Sequence, residues 1–137
     1  GIPAGTVLTD EVYELSYKND ELNDPLINED HALALNIASK NELQEIKIAA
    51  LKVNHFLKVF FAGVNIRLVD FKIEFGKNSR GEIVLADEIT PDTCRLWDMS
   101  TNESLDKDRF RKDLGNVSEA YIDVLHRLES DGQECYM

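Results

Sequence analysis

The sequence predicts an α+β fold in which an antiparallel sheet packs against one long capped helix. Charged and apolar residues alternate along residues 69–76, which is typical of a strand with one face on the core. The strand-forming run 82–86 follows turn-forming residues and is expected to return antiparallel to the first strand. Ser39 followed by Glu42 is a capping box that opens a helical repeat of apolar residues.

Composition and charge narrow the class of protein. At 137 residues the chain fits one domain, and its 43% hydrophobic content supports a globular core. A net charge of −11 argues against a nucleic-acid or anionic-membrane surface, so an anionic substrate needs local cations or a metal. No apolar run reaches the roughly 18 residues of a membrane span. Cys94 and Cys135 lack metal-ligand spacing and are expected to be reduced thiols of a soluble, cytoplasmic protein.

The first third of the chain is expected to contain a strand and a short helix. Residues 12–18 alternate, which places two tyrosines and a leucine on one half-buried side. Asn28 is expected to cap a helix from Glu29 to about Leu35, with acidic residues in its first turn. His31 has no ligand set around it and is assigned no metal role.

The capping box starts a helix predicted from Lys40 to Ala62. Gly63 is expected to end it in the left-handed conformation, and residues 64–69 then form a strand. The apolar stripe of the helix is expected to pack on the sheet that contains the hairpin. The stripe consists of Leu43, Ile46, Ala50, Val53, Leu57 and Phe60.

The turn between the two central strands predicts a pair of facing carboxylates. With a two-residue loop at Arg80 and Gly81, counting outward places Glu74 opposite Asp87. Like charges directly opposite destabilise a sheet unless they are neutralised, and Mg²⁺ bound by these carboxylates plus substrate phosphates would do so. The alternative is a solvated hairpin face on which Lys72 pairs with its acidic neighbours. The residues alone leave both interpretations open.

Cationic residues follow the hairpin. Residues 90–93 form a turn expected to lie near the hairpin carboxylates. Arg95 follows, either as a simple ion pair or as a planar fork for a sugar phosphate. Asp106 is expected to cap a helical turn, and this turn carries a local cationic patch formed by Lys107, Arg109 and Arg111.

A final helix is predicted from Asn116 to about Glu129. Residues 130–137 are polar and are expected to be frayed. The apolar side of this helix consists of Val117, Tyr121, Val124, Leu125 and Leu128.

Four segments carry a family resemblance: residues 69–76 (VDFKIEFG), 85–92 (LADEITPD), 95–98 (RLWD) and 106–111 (DKDRFR). Lys18-Asn19-Asp20 and Asp24-Pro25 fit the same pattern upstream. Together they closely resemble the phosphoribosylaminoimidazole-succinocarboxamide synthase (SAICAR synthetase) family of purine biosynthesis, over nearly the whole chain. The resemblance implies a SAICAR synthetase-like fold with an ATP-grasp or kinase-like layout, in which Asp-x-Lys-x-Glu, a hairpin and an aspartate follow one another.

The resemblance also implies an activity and a set of site residues. The activity is that of a ligase using ATP and Mg²⁺, which joins carboxyaminoimidazole ribonucleotide to L-aspartate through an acyl phosphate. Asp70 and Lys72 are the implied catalytic residues, and Glu74 and Asp87 the implied metal ligands. The implied substrate-binding residues are Lys18, Asp24, Asp92, Arg95, Lys107 and Arg111.

Family members continue N-terminally through an ATP-covering lobe. Residues 1–137 are therefore expected to form the C-terminal substrate- and metal-binding domain of a homo-oligomeric synthase, without the ATP-binding lobe and inactive alone. One alternative is a non-catalytic nucleotide- or phosphosugar-binding or assembly domain that retains the pocket. A second alternative is another phosphotransferase with the same layout.

Overall fold

A computed structural model describes residues 1–132 of the chain. Within them the strands are β1 Leu15–Ser16, β2 Leu26–Ile27, β3 Ile66–Phe71, β4 Phe75–Lys77, β5 Ile83–Leu85 and β6 Cys94–Asp98. The helices are α1 Glu29–Ala34, α2 Lys40–Gly63, α3 Asp108–Arg111 and α4 Val117–Gly132. The strands pair as β1 with β2, β3 with β6 and β4 with β5, all antiparallel. The α+β class is confirmed, although these strands form three separate pairs.

The chain divides into two compact units, one of Gly1–Lys47 and one that begins at Ile48. Helix α2 starts in the first unit and ends in the second. No helix in the described part of the chain is both long enough and apolar enough to span a membrane. Cys94 is a buried free thiol, and Cys135 and the rest of 133–137 lie outside the described residues.

The first unit follows the local sequence signals. Residues 13, 15 and 17 are half-buried and their neighbours exposed, which confirms the predicted alternation. The paired strand itself is only Leu15–Ser16, so the prediction of a strand over 12–18 is too long. Asn28 caps α1 as predicted, because its Oδ1 accepts the backbone N–H of His31 at 2.9 Å. His31 completes a capping box by accepting the Asn28 N–H on Nδ1.

Both ends of α2 can be explained from local chemistry. The Ser39 Oγ accepts the N–H of Glu42 at 3.3 Å, and the Glu42 Oε2 accepts the N–H of Ser39 at 2.8 Å, which confirms the capping box. The predicted left-handed stop at Gly63 is wrong. Gly63 is the last helical residue, and Asn65 takes the left-handed conformation with φ of 59°. Asparagine tolerates this conformation better than most residues, and the Asn65 side chain is held by Ser100.

The core of the second unit lies between α2, α4 and the β3–β6 pair. Leu57 and Phe61 of α2 are buried with Ile66 of β3 and Leu96 of β6. Two stripe residues of this unit, Val53 and Leu57, therefore pack in a core with β3 and β6, not on the hairpin strands as predicted. Because Phe61 continues the i, i+4 row from Leu57, it takes the core position predicted for Phe60, which is 42% exposed. In α4, Ala120 and Val124 are buried, whereas Leu125 was wrongly assigned to the apolar side.

A β-bulge at Val69 sets the faces of β3. Leu68 pairs with Leu96, but the next pair is Asp70 with Arg95, so Val69 is the extra residue. Leu68 and Phe71 consequently both pack on the core although their spacing is odd. Asp70 is left on the outer face beside Arg95. The prediction of one uninterrupted strand over 69–76 is wrong, because β3 ends at Phe71 and β4 begins at Phe75.

The hairpin register differs by one residue from the prediction. The Asn78 N–H bonds to the Glu82 carbonyl at 3.0 Å, which closes a three-residue loop over 79–81 instead of a two-residue one. Gly81 in this loop has φ of +77°, a conformation that favours glycine. The Ala86 N–H donates to the Glu74 carbonyl at 2.8 Å, so Glu74 faces Ala86, not Asp87. The predicted repulsion between directly opposed carboxylates is therefore wrong.

Arg127 joins α4 to the end of β6. Its Nη2 donates to Asp98 and to Asp123, each at 2.7 Å, and its Nη1 donates to the Asn65 carbonyl. The Asp98 Oδ1 also accepts the N–H groups of Ser100 and Thr101. The hydrogen bond from Arg127 is the largest of the causes that lower the pKa of Asp98 to about 2.

Acid should remove the stability contributed by Asp98. Its pKa is lowered from 3.8 to about 2 in the folded chain, so the contribution is present above the unfolded value and lost as the pH falls through about 2. Between about pH 6 and pH 2, wild type should lose on the order of 2 kcal/mol more unfolding free energy than Asp98→Asn. Urea unfolding of both chains across this range measures the difference. Parallel pH profiles would contradict the assignment.

Candidate active site

Arg95 bridges two carboxylates on the outer face of the β3–β6 pair. Its Nη1 donates to Asp70 Oδ2 at 2.5 Å and its Nε to Asp108 Oδ2 at 3.1 Å. The charge of Asp70 is the largest cause of a raised pKa at Arg95, with Asp108 adding to it. Two predicted site residues, Asp70 and Arg95, are thus in direct contact. The sequence allowed Arg95 to be either an ion-pair partner or a fork for a sugar phosphate. The ion pair is present, and it also orients the guanidinium.

The Asp108 carboxylate contacts three cationic side chains. Its side chain is 5% exposed, and besides Arg95 it accepts Arg111 Nη1 at 2.9 Å and lies 3.1 Å from Lys112 Nζ. The hydrogen bond from Arg111 is the largest cause of the lowered pKa of Asp108. Arg111 was predicted at the site, whereas Asp108 and Lys112 were missed. An aspartate followed by basic residues at i+3 and i+4 on a helical turn is the signal that could have identified them.

Asp106 fastens this turn to β6. Its side chain is fully buried, with Oδ1 accepting the Asp108 N–H at 2.7 Å and Oδ2 the Leu96 N–H at 2.8 Å. Asp106 caps the turn as predicted, because its Oδ1 accepts the Asp108 N–H and its carbonyl accepts the Arg109 N–H. The residue directly before α3 is Lys107, whose side chain makes no cap. The second carboxylate oxygen of Asp106 links that turn to the strand residue next to Arg95.

The turn at 90–93 brings further predicted residues together. The Lys72 N–H donates to the Thr93 carbonyl at 2.8 Å, and the Lys107 N–H donates to the Pro91 carbonyl at 3.1 Å. Asp92 accepts the Tyr121 hydroxyl at 2.7 Å. Burial, followed by this hydrogen bond, raises the pKa of Tyr121 to about 12, so the phenol stays protonated and keeps donating. Tyr121 was predicted only as an apolar residue of the last helix.

Glu74 and Asp87 lie at the open end of the hairpin, and both are half-buried. Asp87 follows Ala86, the residue bonded to the Glu74 backbone, and its Oδ1 accepts the Glu88 N–H. Their carboxylate oxygens are the ligand type that Mg²⁺ prefers, and a site of one or two carboxylates plus phosphates suits this ion. Within the described residues, no cluster of three or more His, Cys, Asp and Glu side chains is arranged to hold a metal. The donor set fits a metal that shares its coordination with a substrate.

Lys18 and Asp24 belong to the first unit. Lys18 Nζ lies 3.0 Å from Asp20 Oδ1 and 3.8 Å from Asp24 Oδ2. Asp24 Oδ1 also accepts the Asn19 N–H, which holds the loop between β1 and β2. These two predicted residues contact each other, and their substrate role stays a prediction.

Comparison with known proteins identifies the family. A family profile described as SAICAR synthetase matches residues 1–128. The chain belongs to the SAICAR synthetase family. The synthase of Fusobacterium nucleatum is 61% identical over 128 residues, which are 93% of this chain and 54% of that protein. That of Dichelobacter nodosus is 60% identical over 94% of this chain and 54% of its own length.

Solved structures of the family have the same fold. A SAICAR synthetase in complex with ADP has a TM-score of 0.87 and 54% identity, covering 93% of this chain and 54% of that one. SAICAR synthetase from Pyrococcus horikoshii has a TM-score of 0.88 and 52% identity, covering 94% and 56%. The predicted family and fold are confirmed. The chain spans about half the length of the curated relatives it matches.

Proposed function

We propose that this chain forms the substrate- and metal-binding part of an ATP-dependent ligase that joins carboxyaminoimidazole ribonucleotide to L-aspartate. The observation that carries the proposal is Arg95, which Asp70 and Asp108 hold at the centre of a cationic group in a chain of net charge −11. Family membership supports the same conclusion. The ATP-covering lobe would be supplied from outside residues 1–137.

The chemistry requires activation of a carboxylate. Transfer of the γ-phosphoryl group of ATP to a carboxylate oxygen of the ribonucleotide gives an acyl phosphate and releases ADP. The aspartate amine then attacks the acyl carbon, inorganic phosphate leaves, and the nitrogen loses a proton as the amide forms. Such phosphoryl transfer depends on positioning and on charge stabilisation.

Each residue of the candidate site could contribute to one part of this chemistry. Arg95 and Arg111 would bind the ribose phosphate through charge-assisted hydrogen bonds, with Lys107 contributing from the adjacent turn. Lys72 would stabilise the transferring phosphoryl oxygens. Asp70 would orient the substrate amine or ring while it also steadies Arg95.

Glu74 and Asp87 would hold Mg²⁺. The ion, when bound, would neutralise charge on the ATP phosphates and the substrate carboxylate. Asp92, held by the Tyr121 hydroxyl, would fix the loop beside the ribonucleotide. Lys18 and Asp24, which lie in the first unit, would also bind substrate.

A chimaera tests this function. This chain replaces the matching part of the Fusobacterium nucleatum synthase, and ADP, inorganic phosphate and the amide product are measured. We expect equal amounts of all three products, formed only when the ribonucleotide, aspartate and ATP are present together. A phosphorylated product that forms without aspartate and resists hydroxylamine would support another phosphotransferase, because the acyl phosphate of the ligase reacts with hydroxylamine. Binding of the ribonucleotide without turnover would support a non-catalytic binding domain.

Oligomeric state and cellular location stay predictions. We propose a cytoplasmic homo-oligomer. Exposed apolar side chains on α2, where Phe56 and Phe60 stack with ring centroids 6.0 Å apart, support the oligomeric part of this proposal. Analytical ultracentrifugation of the chimaera would measure the oligomeric state. A monomer at micromolar concentration would contradict this part of the proposal.

A further inference from the structure

The arrangement of Arg95, Arg111 and Lys112 depends on one buried carboxylate. Three like charges that converge on one point repel each other, and long basic side chains lose conformational entropy when held there. Asp108 offsets both costs, because its two oxygens accept Arg95 Nε, Arg111 Nη1 and Lys112 Nζ at 2.9–3.1 Å. Breaking such a pair by removing one partner leaves the others uncompensated.

Asp108 is itself held in a fixed position. Its backbone N–H donates to Asp106 Oδ1, and the other oxygen of that fully buried side chain accepts the Leu96 N–H. The carboxylate is therefore fixed relative to the backbone of β6 next to Arg95. The Arg95 guanidinium therefore bonds to a carboxylate whose position does not depend on the surface loops.

Both guanidinium groups keep donors for a ligand. Within the described residues, Arg95 uses Nε and Nη1, and Arg111 uses Nη1, so neither Nη2 has a protein hydrogen-bond partner. The side chains of Arg95, Arg111 and Lys112 are 47%, 49% and 60% exposed, so solvent reaches all three. These three cations lie beside the carboxylates of Asp70 and Asp108, and the third nearby carboxylate, Asp106, is fully buried and accepts two backbone N–H groups.

We propose that Asp108 is a positioning residue that holds Arg95 and Arg111 as a double fork for the phosphomonoester dianion of the substrate, with Lys112 as a third cation of the same site. This rests on the proposed function, and it adds Asp108 and Lys112 to the site. Two guanidinium groups and one ammonium can share the three oxygens of a phosphate, whereas a neutral sugar has no such charge. The site would therefore discriminate ribose 5-phosphate from ribose.

The competing explanation is that the ion pairs only tie α3 to β6. The two explanations predict opposite changes in phosphate affinity for Asp108→Asn. Removing a negative charge beside the cations should strengthen phosphate binding if Asp108 does no positioning, because Coulomb repulsion of the dianion falls. If Asp108 positions the forks, the same substitution should weaken binding despite the gain in net positive charge.

The test is isothermal titration of the 137-residue chain with ribose 5-phosphate and with ribose. We expect wild type to bind ribose 5-phosphate and not ribose, and Asp108→Asn to lower the affinity about ten-fold or more. Asp98→Asn is the matched control, because Asp98 is also a nearly buried aspartate paired with an arginine. Asp98→Asn should lower the free energy of unfolding about as much as Asp108→Asn does, and it should leave the affinity for ribose 5-phosphate unchanged. Arg95→Lys combined with Asp108→Asn should be clearly less than additive, since one residue acts through the other.

A second variant, Asp108→Glu, tests the same role if Asp108→Asn does not fold. If Asp108→Asn shows no folded circular-dichroism signal, Asp108→Glu keeps the charge and moves it by one methylene. A loss of ribose 5-phosphate affinity in this variant supports positioning, and an unchanged affinity overturns it. Equal or tighter binding by Asp108→Asn, or no preference of wild type for ribose 5-phosphate over ribose, also overturns the inference. Phosphate selectivity without product formation by the chimaera would overturn the proposed ligase and leave the role of Asp108 standing.

Discussion

Glu74→Gln and Asp87→Asn in the chimaeric synthase should each reduce turnover by about 10³-fold or more. Each substitution keeps the size of the side chain and removes the charge that a hard divalent cation needs. Loss of the metal's charge stabilisation raises the barrier by several kcal/mol, and about 4 kcal/mol corresponds to three orders of magnitude. Release of ADP and formation of the amide at saturating Mg²⁺ and substrates measure the effect.

Two measurements separate a metal role from a structural one. Glu82→Gln is the matched control, because Glu82 is a carboxylate of the same hairpin that pairs with Arg80 at its far end. It should keep nearly full activity. Urea unfolding with a chelator present should give similar midpoints for wild type, Glu74→Gln and Asp87→Asn. A large loss of stability under those conditions would show that these carboxylates serve the fold.

Arg95→Lys should raise the Michaelis constant for the ribonucleotide by about 10- to 100-fold, with little change for ATP or aspartate. Lysine keeps the charge but lacks the planar fork. It therefore cannot donate to Asp70 and Asp108 and still present a second edge to a phosphate. Steady-state kinetics with each substrate varied in turn measure the three constants.

Arg127→Lys is the control for the loss of a bridging arginine. Arg127 also spans two carboxylates, Asp98 and Asp123, but in a separate ion-pair cluster. This variant should lose stability and leave the Michaelis constant for the ribonucleotide unchanged. An effect of Arg95→Lys confined to ATP would move Arg95 to the nucleotide side of the site. Equal effects of the two variants on the ribonucleotide would show that the change acts through stability.

Features that depend on neighbours in sequence were predicted well. The N-cap at Asn28 and the capping box at Ser39 involve residues three positions apart, so the sequence alone contains both partners. The part of His31 in the Asn28 cap was not predicted. The bond from the Asp108 N–H to the Asp106 side chain, two positions away, is equally local. The long helix also followed from spacing, with an error of one position at the core phenylalanine, because Phe60 and Phe61 are adjacent and equally apolar.

Features that depend on the pairing register of two strands were predicted poorly. The Glu74–Asp87 pairing failed because Gly81 adopts a left-handed φ and the loop closes over three residues, which shifts the register by one. The bulge at Val69 has no signature in its own residues. Beyond Leu68, the extra residue reverses which side chains of β3 face the core, and it places Asp70 against Arg95.

By itself the sequence determined the family, the α+β class, the helix caps and most of the residue types that the chemistry needs, because each depends on local pattern or on motifs read directly. Only the tertiary structure decided which of these residues meet. Asp108 lies 13 positions from Arg95 in the chain, and their contact exists because buried Asp106 fastens the first turn of α3 to β6. The contact between Asp70 and Arg95 depends on strand register and a bulge, and the contact between Asp108 and Arg95 depends on a buried hydrogen bond. None of these features can be derived from the spacing of residues in the sequence.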